Sequence, residues 1–164
     1  MMPPAGDAGN AHRVLVCVDG ADARRSVSVA RALVSVPALW SAVHVIDARG
    51  RLDLGALRRG LVGAGPLPEH LAADIEAAGR EHAQFVLGAT EATFAEFGLA
   101  SNSGLVRIGE PGREICAAAA AWRADLIVLN ASRRERPEPG PKSVGHTARF
   151  VVDHAPCPVL LIRG

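Results

Sequence analysis

The residues able to do chemistry are few, and each set of them is incomplete. His154-x-x-Cys157 offers an imidazole and a thiol close together. It supplies two ligands where a structural zinc site takes four, so no metal site is expected there. Ser132 has no Gly-x-Ser-x-Gly elbow around it. Gly140-x-Lys142-Ser143 looks like the end of a phosphate loop but lacks the full Gly-x4-Gly-Lys-Ser/Thr frame. The sequence carries no His-Glu-x-x-His motif, no triad signature and no carboxylate pair at a telling spacing. No catalytic residue and no metal ligand is assigned, and the chain is expected not to be an enzyme. The cysteines, Cys17, Cys116 and Cys157, are odd in number and far apart. They make no disulfide framework and fit a reducing cytoplasm. Cys17 and Cys116 lie in apolar contexts and read as small buried hydrophobes. His44 falls inside an apolar run and reads as a hydrogen-bonded packing residue. Glu110, Asp125 and Asp153 fall at turns and helix ends, where acids cap or stay solvated.

The elements that would position these residues follow from hydrophobic spacing. The runs at 13–18 (RVLVCV), 40–47 (WSAVHVID), 104–108 (GLVRI), 125–130 (DLIVLN) and 158–162 are short and apolar, as in strands buried on both faces. Helical spacing is expected over 22–36, ending at Pro37, and over 112–122 and 143–153. Between Leu67 and Phe97 a long helix is expected, with Leu71, Ile75, Ala78, His82, Phe85 and Val86 on one stripe, Phe94 and Phe97 following, and Gly98 as the stop. A helical turn is expected around Leu54–Leu61 within a Gly- and Arg-rich connection, and a Pro- and Arg-rich loop over 131–142. Strand–helix alternation implies a parallel sheet covered by helices on both faces, a single-domain three-layer α/β/α sandwich. Ligands in such sheets sit outside the carboxyl ends of the strands, where strand order reverses.

At 164 residues one domain is expected, over 12–164, with 1–11 a polar tail and not a secretion signal. Composition narrows the partners. Lys and Arg total 18 against 17 Asp and Glu, giving +1, and aromatic residues are 4% with no Tyr. Neither a basic nucleic-acid face nor a base-stacking platform is expected. No apolar run approaches the ~18 residues of a membrane span.

VLVCVDGADARRSVSVARAL, HVID at 44–47, GEPGREI at 109–115, ADLIVLN and the ending VGHTARFVVDHAPCPVLLI together resemble the universal stress protein family, over about residues 12–163. The resemblance implies a five-stranded parallel sheet of order 3-2-1-4-5. It also implies a cytoplasmic homodimer formed through the C-terminal strand, and a role in stress response or regulation. Many members bind ATP with magnesium through a Gly-x2-Gly-x9-Gly-Ser/Thr motif after the fourth strand. Glycines there let backbone N–H groups reach phosphates, and the last pair opens a helix whose N-terminus favours anions. An Asp after the first strand and a Val in the second hold the base and ribose. Asp19 and Val45 match those positions.

The phosphate motif departs from the family pattern. Its first Gly falls on Asn130 and its second on Arg133, while the third aligns with Gly145, followed by His146 with Thr147 one place late. Eleven residues separate Arg133 from Gly145 where the family has nine. Pro137, Pro139 and Pro141 offer no N–H donors. Asp19, Val45, Asn130, Arg133, Gly145, His146 and Thr147 thus form a candidate ATP cleft. Two readings follow: the loop has lost phosphate binding, so ATP binds weakly or not at all and no cofactor is held; or Arg133, Arg134, Arg136 or Lys142 replaces the lost donors with side-chain charge, as nucleotide-regulated signalling or slow ATP hydrolysis would need. A third reading is an interaction module whose loop 131–142 meets an unknown protein partner. Bland alternatives stand beside these: Asp19 as a helix cap, Val45 as core, Asn130 as a strand-end residue, and the Arg/Glu run 133–138 as a solvated loop.

Overall fold

The computed structural model describes residues 11–20, 23–47, 69–131 and 144–163. Element order is β1 (His12–Cys17), α1 (Ala23–Leu33), β2 (Ala38–Asp47), α2 (Glu69–Glu96), β3 (Leu105–Gly109), α3 (Pro111–Trp122), β4 (Leu126–Asn130), α4 (His146–His154) and β5 (Val159–Ile162). The strands form one parallel sheet of order β3-β2-β1-β4-β5. This is the expected architecture. The turn expected around Leu54–Leu61 and nearly all of the loop over 131–142 lie outside the described residues.

Alternation along β1 builds two cores. Val14, Val16 and Val18 face one side with Val27 and Ala30 of α1 and Val86, Leu87 and Phe94 of α2. Leu15 and Cys17 face the other with Ile115, Ala118 and Ala119 of α3 and Ala148 and Val151 of α4. The central strands are therefore apolar on both faces, which is why they read as continuous runs. Each buried Val or Leu contributes roughly 1.5–3 kcal/mol of transfer free energy.

Local chemistry sets the element ends. α3 opens on Glu110, whose carboxylate accepts from the Arg113 backbone N–H at 3.1 Å, with Pro111 in the first turn. α2 ends as expected at Gly98, with the Leu99 N–H donating to the Phe94 carbonyl at 2.9 Å. α1 stops at Leu33, short of the expected 36, and α4 starts at His146, not 143. Asp125 fixes the start of β1 against the start of β4: its Oδ2 accepts from the Arg13 N–H, and its own N–H donates to the Arg13 carbonyl, both at 2.8 Å.

The stripe expected on α2 needs correction. Among the described residues of α2 the buried positions are Ala83, Val86, Leu87, Thr90 and Phe94, whereas Ala78 and His82 are exposed and Phe85 is 75% exposed; the side chains of Leu71 and Ile75 lie outside the described residues. Positions 83, 87, 90 and 94 keep a 4-3-4 rhythm, so the helix lies rotated from the face that its larger residues suggest. Thr90 is tolerated there because its hydroxyl donates to the Val86 carbonyl at 2.8 Å.

Candidate functional site

Strand order places β1 beside β4 in the middle of the sheet. The chain leaves β1 toward β2 and leaves β4 toward β5, so strand order reverses between them, the position at which open α/β sheets take ligands. Register aligns the residues there. Cys17 pairs with Val43 and Val16 with Val128, which sets Asp19 level with Val45 and Val18 level with Asn130. Asp19, Val45 and Asn130 therefore meet at one edge of the sheet.

Their surroundings differ. Asp19 is exposed just past β1, in the turn that leads to α1. Gly20 beside it has φ +97°, a conformation that glycine adopts at little cost. Val45 is half-buried and packs on the α3/α4 core. Asn130 closes β4, and its Oδ1 accepts a hydrogen bond from the Ser26 hydroxyl of α1 at 2.9 Å. Gly145 is the N-cap of α4 at φ +94°, with no side chain capping the helix. His146 is exposed in the first turn and Thr147 half-buried. Arg133, with Arg134, Arg136 and Lys142, lies outside the described residues.

Three side chains around this edge extend the set. His44 is buried, and its Nδ1 lies 2.9 Å from the Val18 carbonyl oxygen, the packing role expected of it. Burial pushes its pKa below the ordinary imidazole value, reinforced by His82 and opposed by the Val18 hydrogen bond and by Asp19. His82 of α2 meets the His44 ring edge-on, centroids 5.8 Å apart. Ser26, 1% exposed, is the third. Its signal in the sequence was a hydroxyl next to Val27 on the apolar side of α1. His82 gave no signal beyond helical spacing, because its partner comes from β2.

Beside Gly20 the α1/α2 interface opens into a groove of about 260 Å³, floored by Ala23, Val86 and Thr90 and edged by Arg24 and Phe85. Arg24 makes a two-pronged pair with Glu96, which holds that carboxyl below its usual range.

His154 and Cys157 make separate contacts. The His154 Nδ1 lies 2.9 Å from the Phe150 carbonyl oxygen, and its ring stacks on Phe150 at 4.2 Å. Cys157 packs on the α3/α4 core, as Cys116 does. Both are half-buried, so Cys116 is less enclosed than its apolar context suggested. Burial raises the thiol pKa of all three cysteines, most for Cys17. Among the described residues no group of three or more His, Cys, Asp or Glu side chains is placed to hold a metal ion. No described helix is long and apolar enough to cross a membrane.

Fold and site define a doubly wound α/β protein whose polar edge lies at the reversal of strand order. The model of the universal stress protein family matches residues 10–163, and the chain belongs to that family. Solved structures agree. The universal stress protein UspA from Lactobacillus plantarum is 29% identical, over 94% of this chain and 100% of that one, with a TM-score of 0.51. A universal stress protein from Archaeoglobus fulgidus is 19% identical, over 93% and 99%, with a TM-score of 0.62. A family protein from Arabidopsis thaliana, solved with AMP bound, is 18% identical, over 93% and 91%, with a TM-score of 0.58. No curated protein matches the chain.

Proposed function

We propose that this chain is a regulatory universal stress protein that works by binding and not by catalysis, and that its affinity for ATP is weak or absent. The observation that carries the reading is the bond from Ser26 to Asn130. Where the family pattern has a glycine that brings backbone N–H groups to phosphates, this chain has an amide side chain tied to α1. The triphosphate end of the cleft therefore fits poorly, while Asp19 remains exposed at the base-and-ribose end. The AMP bound to the Arabidopsis relative supports a ligand that makes little use of the outer phosphates. On this reading the folded unit runs over 12–164 behind a short tail. It is a cytoplasmic homodimer paired through β5, whose half-buried Val159, Leu160 and Leu161 lie on the last strand of the sheet.

A second reading, nucleotide-regulated signalling with slow hydrolysis, draws on Gly145. An α4 N-terminus without a side-chain cap keeps N–H groups suited to an anion. Calorimetric titration of the full chain with ATP and magnesium, beside Asp19→Ala, separates the two. The expected result is no saturable heat in the micromolar range. Saturable binding that Asp19→Ala removes would overturn the first reading in favour of the second. Heat that Asp19→Ala leaves unchanged would place the ligand elsewhere and count against both.

A further inference from the structure

We propose that His44 and His82 form a proton-responsive joint between helix α2 and the β1–α1 turn that carries Asp19 and Gly20. The joint is built from three contacts. The His44 Nδ1 lies 2.9 Å from the Val18 carbonyl oxygen, one residue before Asp19. A carbonyl oxygen only accepts, so Nδ1 carries the proton and Nε2 is the atom left to titrate. The His82 ring meets the His44 ring at 5.8 Å and 75°. A Cβ built on Gly20 would lie 3.3 Å from the His82 Nε2, so the turn runs directly against α2.

Among the described residues the charges facing this joint are few. His82 comes from α2, Asp19 from the turn, and β3 presents Val106 in register with His44. Arg24 of α1 edges the neighbouring groove and is paired with Glu96. Protonating His44 places a cation in a buried site beside a second imidazole, with Asp19 as the opposing charge. Relief comes by drawing His82 and α2 away from Gly20. A neutral His44 holds the turn in place, and acid loosens it. This goes beyond nucleotide binding and holds whether or not the cleft takes one.

The test is an NMR titration of the full chain, free of ligand, reading the imidazole carbons and the Val18 and Gly20 amides from about pH 8 to about pH 5, where a free imidazole titrates. The His44 midpoint is expected below that of a free imidazole, with the Gly20 amide moving at the same midpoint. His82→Gln, at an exposed position, is expected to raise the His44 midpoint, and Asp19→Asn to lower it. A His44 midpoint at the free-imidazole value overturns the joint. So does one that neither substitution moves, or a Gly20 amide that stays still while His44 titrates.

Discussion

Ser26 of α1 donates its hydroxyl to the Asn130 Oδ1 at the end of β4, 2.9 Å away. A helix that follows β1 is thereby fixed to the strand on the far side of the strand-order reversal, more than a hundred residues on in the chain. Ser26 is buried and Asn130 half-buried, so the bond forms where water competes weakly.

Ser26→Ala is expected to cost about 1 kcal/mol, or roughly 2–4 °C in Tm for a chain of this length. A double-mutant cycle with Asn130→Ala should return a coupling of about 0.5–1.5 kcal/mol. Thermal melts followed by circular dichroism give both values. Additive losses would mean that each side chain acts separately and that α1 is not tied to β4 by this pair.

Gly20→Ala is expected to destabilise by about 1–3 kcal/mol, since φ +97° strains any side chain and the new methyl meets His82. The two causes separate. Adding His82→Ala relieves the contact and leaves the dihedral strain, so only part of the loss should return in urea unfolding. Full recovery would make the contact the whole cause, and no recovery would make it the dihedral alone.

Most of the architecture was legible because the physics behind it is periodic and local. RVLVCV reads as a doubly buried strand because Val14, Val16 and Val18 serve one core and Leu15 and Cys17 the other. Gly98 and Pro111 mark helix boundaries through their own backbone preferences. The face of α2 was misread because large residues drew the stripe. Ala83 is small and Thr90 polar, while Phe85 is large and exposed. At the site, the family resemblance singles out Asp19, Val45 and Asn130, and the sheet register sets them at the carboxyl ends of neighbouring strands. The partnerships of Ser26 with Asn130 and of His44 with His82 were not legible, because each joins residues from elements that only the fold brings together.

Thiol labelling should grade the cysteines by burial. Cys17 is 7% exposed, and burial raises its thiol pKa far above the usual range. Cys116 and Cys157 are half-buried, with smaller shifts in the same direction. At about pH 8, where an ordinary thiol is partly ionised, a disulfide reagent should leave Cys17 unmodified in the native protein and label the other two slowly. Denaturant should expose all three. Peptide mapping by mass spectrometry reads the order, and early labelling of Cys17 would contradict its packing in the α3/α4 core.

Stability should fall as the solution is acidified through the histidine range. The His44 pKa lies below the ordinary value of 6.5 when the protein is folded, chiefly through burial. The unfolded chain therefore takes up the proton first as pH drops. The contribution of His44 is fully present above about pH 7, begins to decline near the ordinary value, and is lost as pH falls through the lower folded value. Urea midpoints measured from about pH 7.5 down to about pH 5.5, above the carboxylate range, should decrease. His82→Gln should flatten this slope by removing the neighbouring imidazole that helps to lower the His44 pKa. Asp19→Asn should steepen it by removing the opposing charge. A midpoint that holds constant or rises toward acid in the unmodified protein would mean that His44 is not the group that sets the acid limit of the fold.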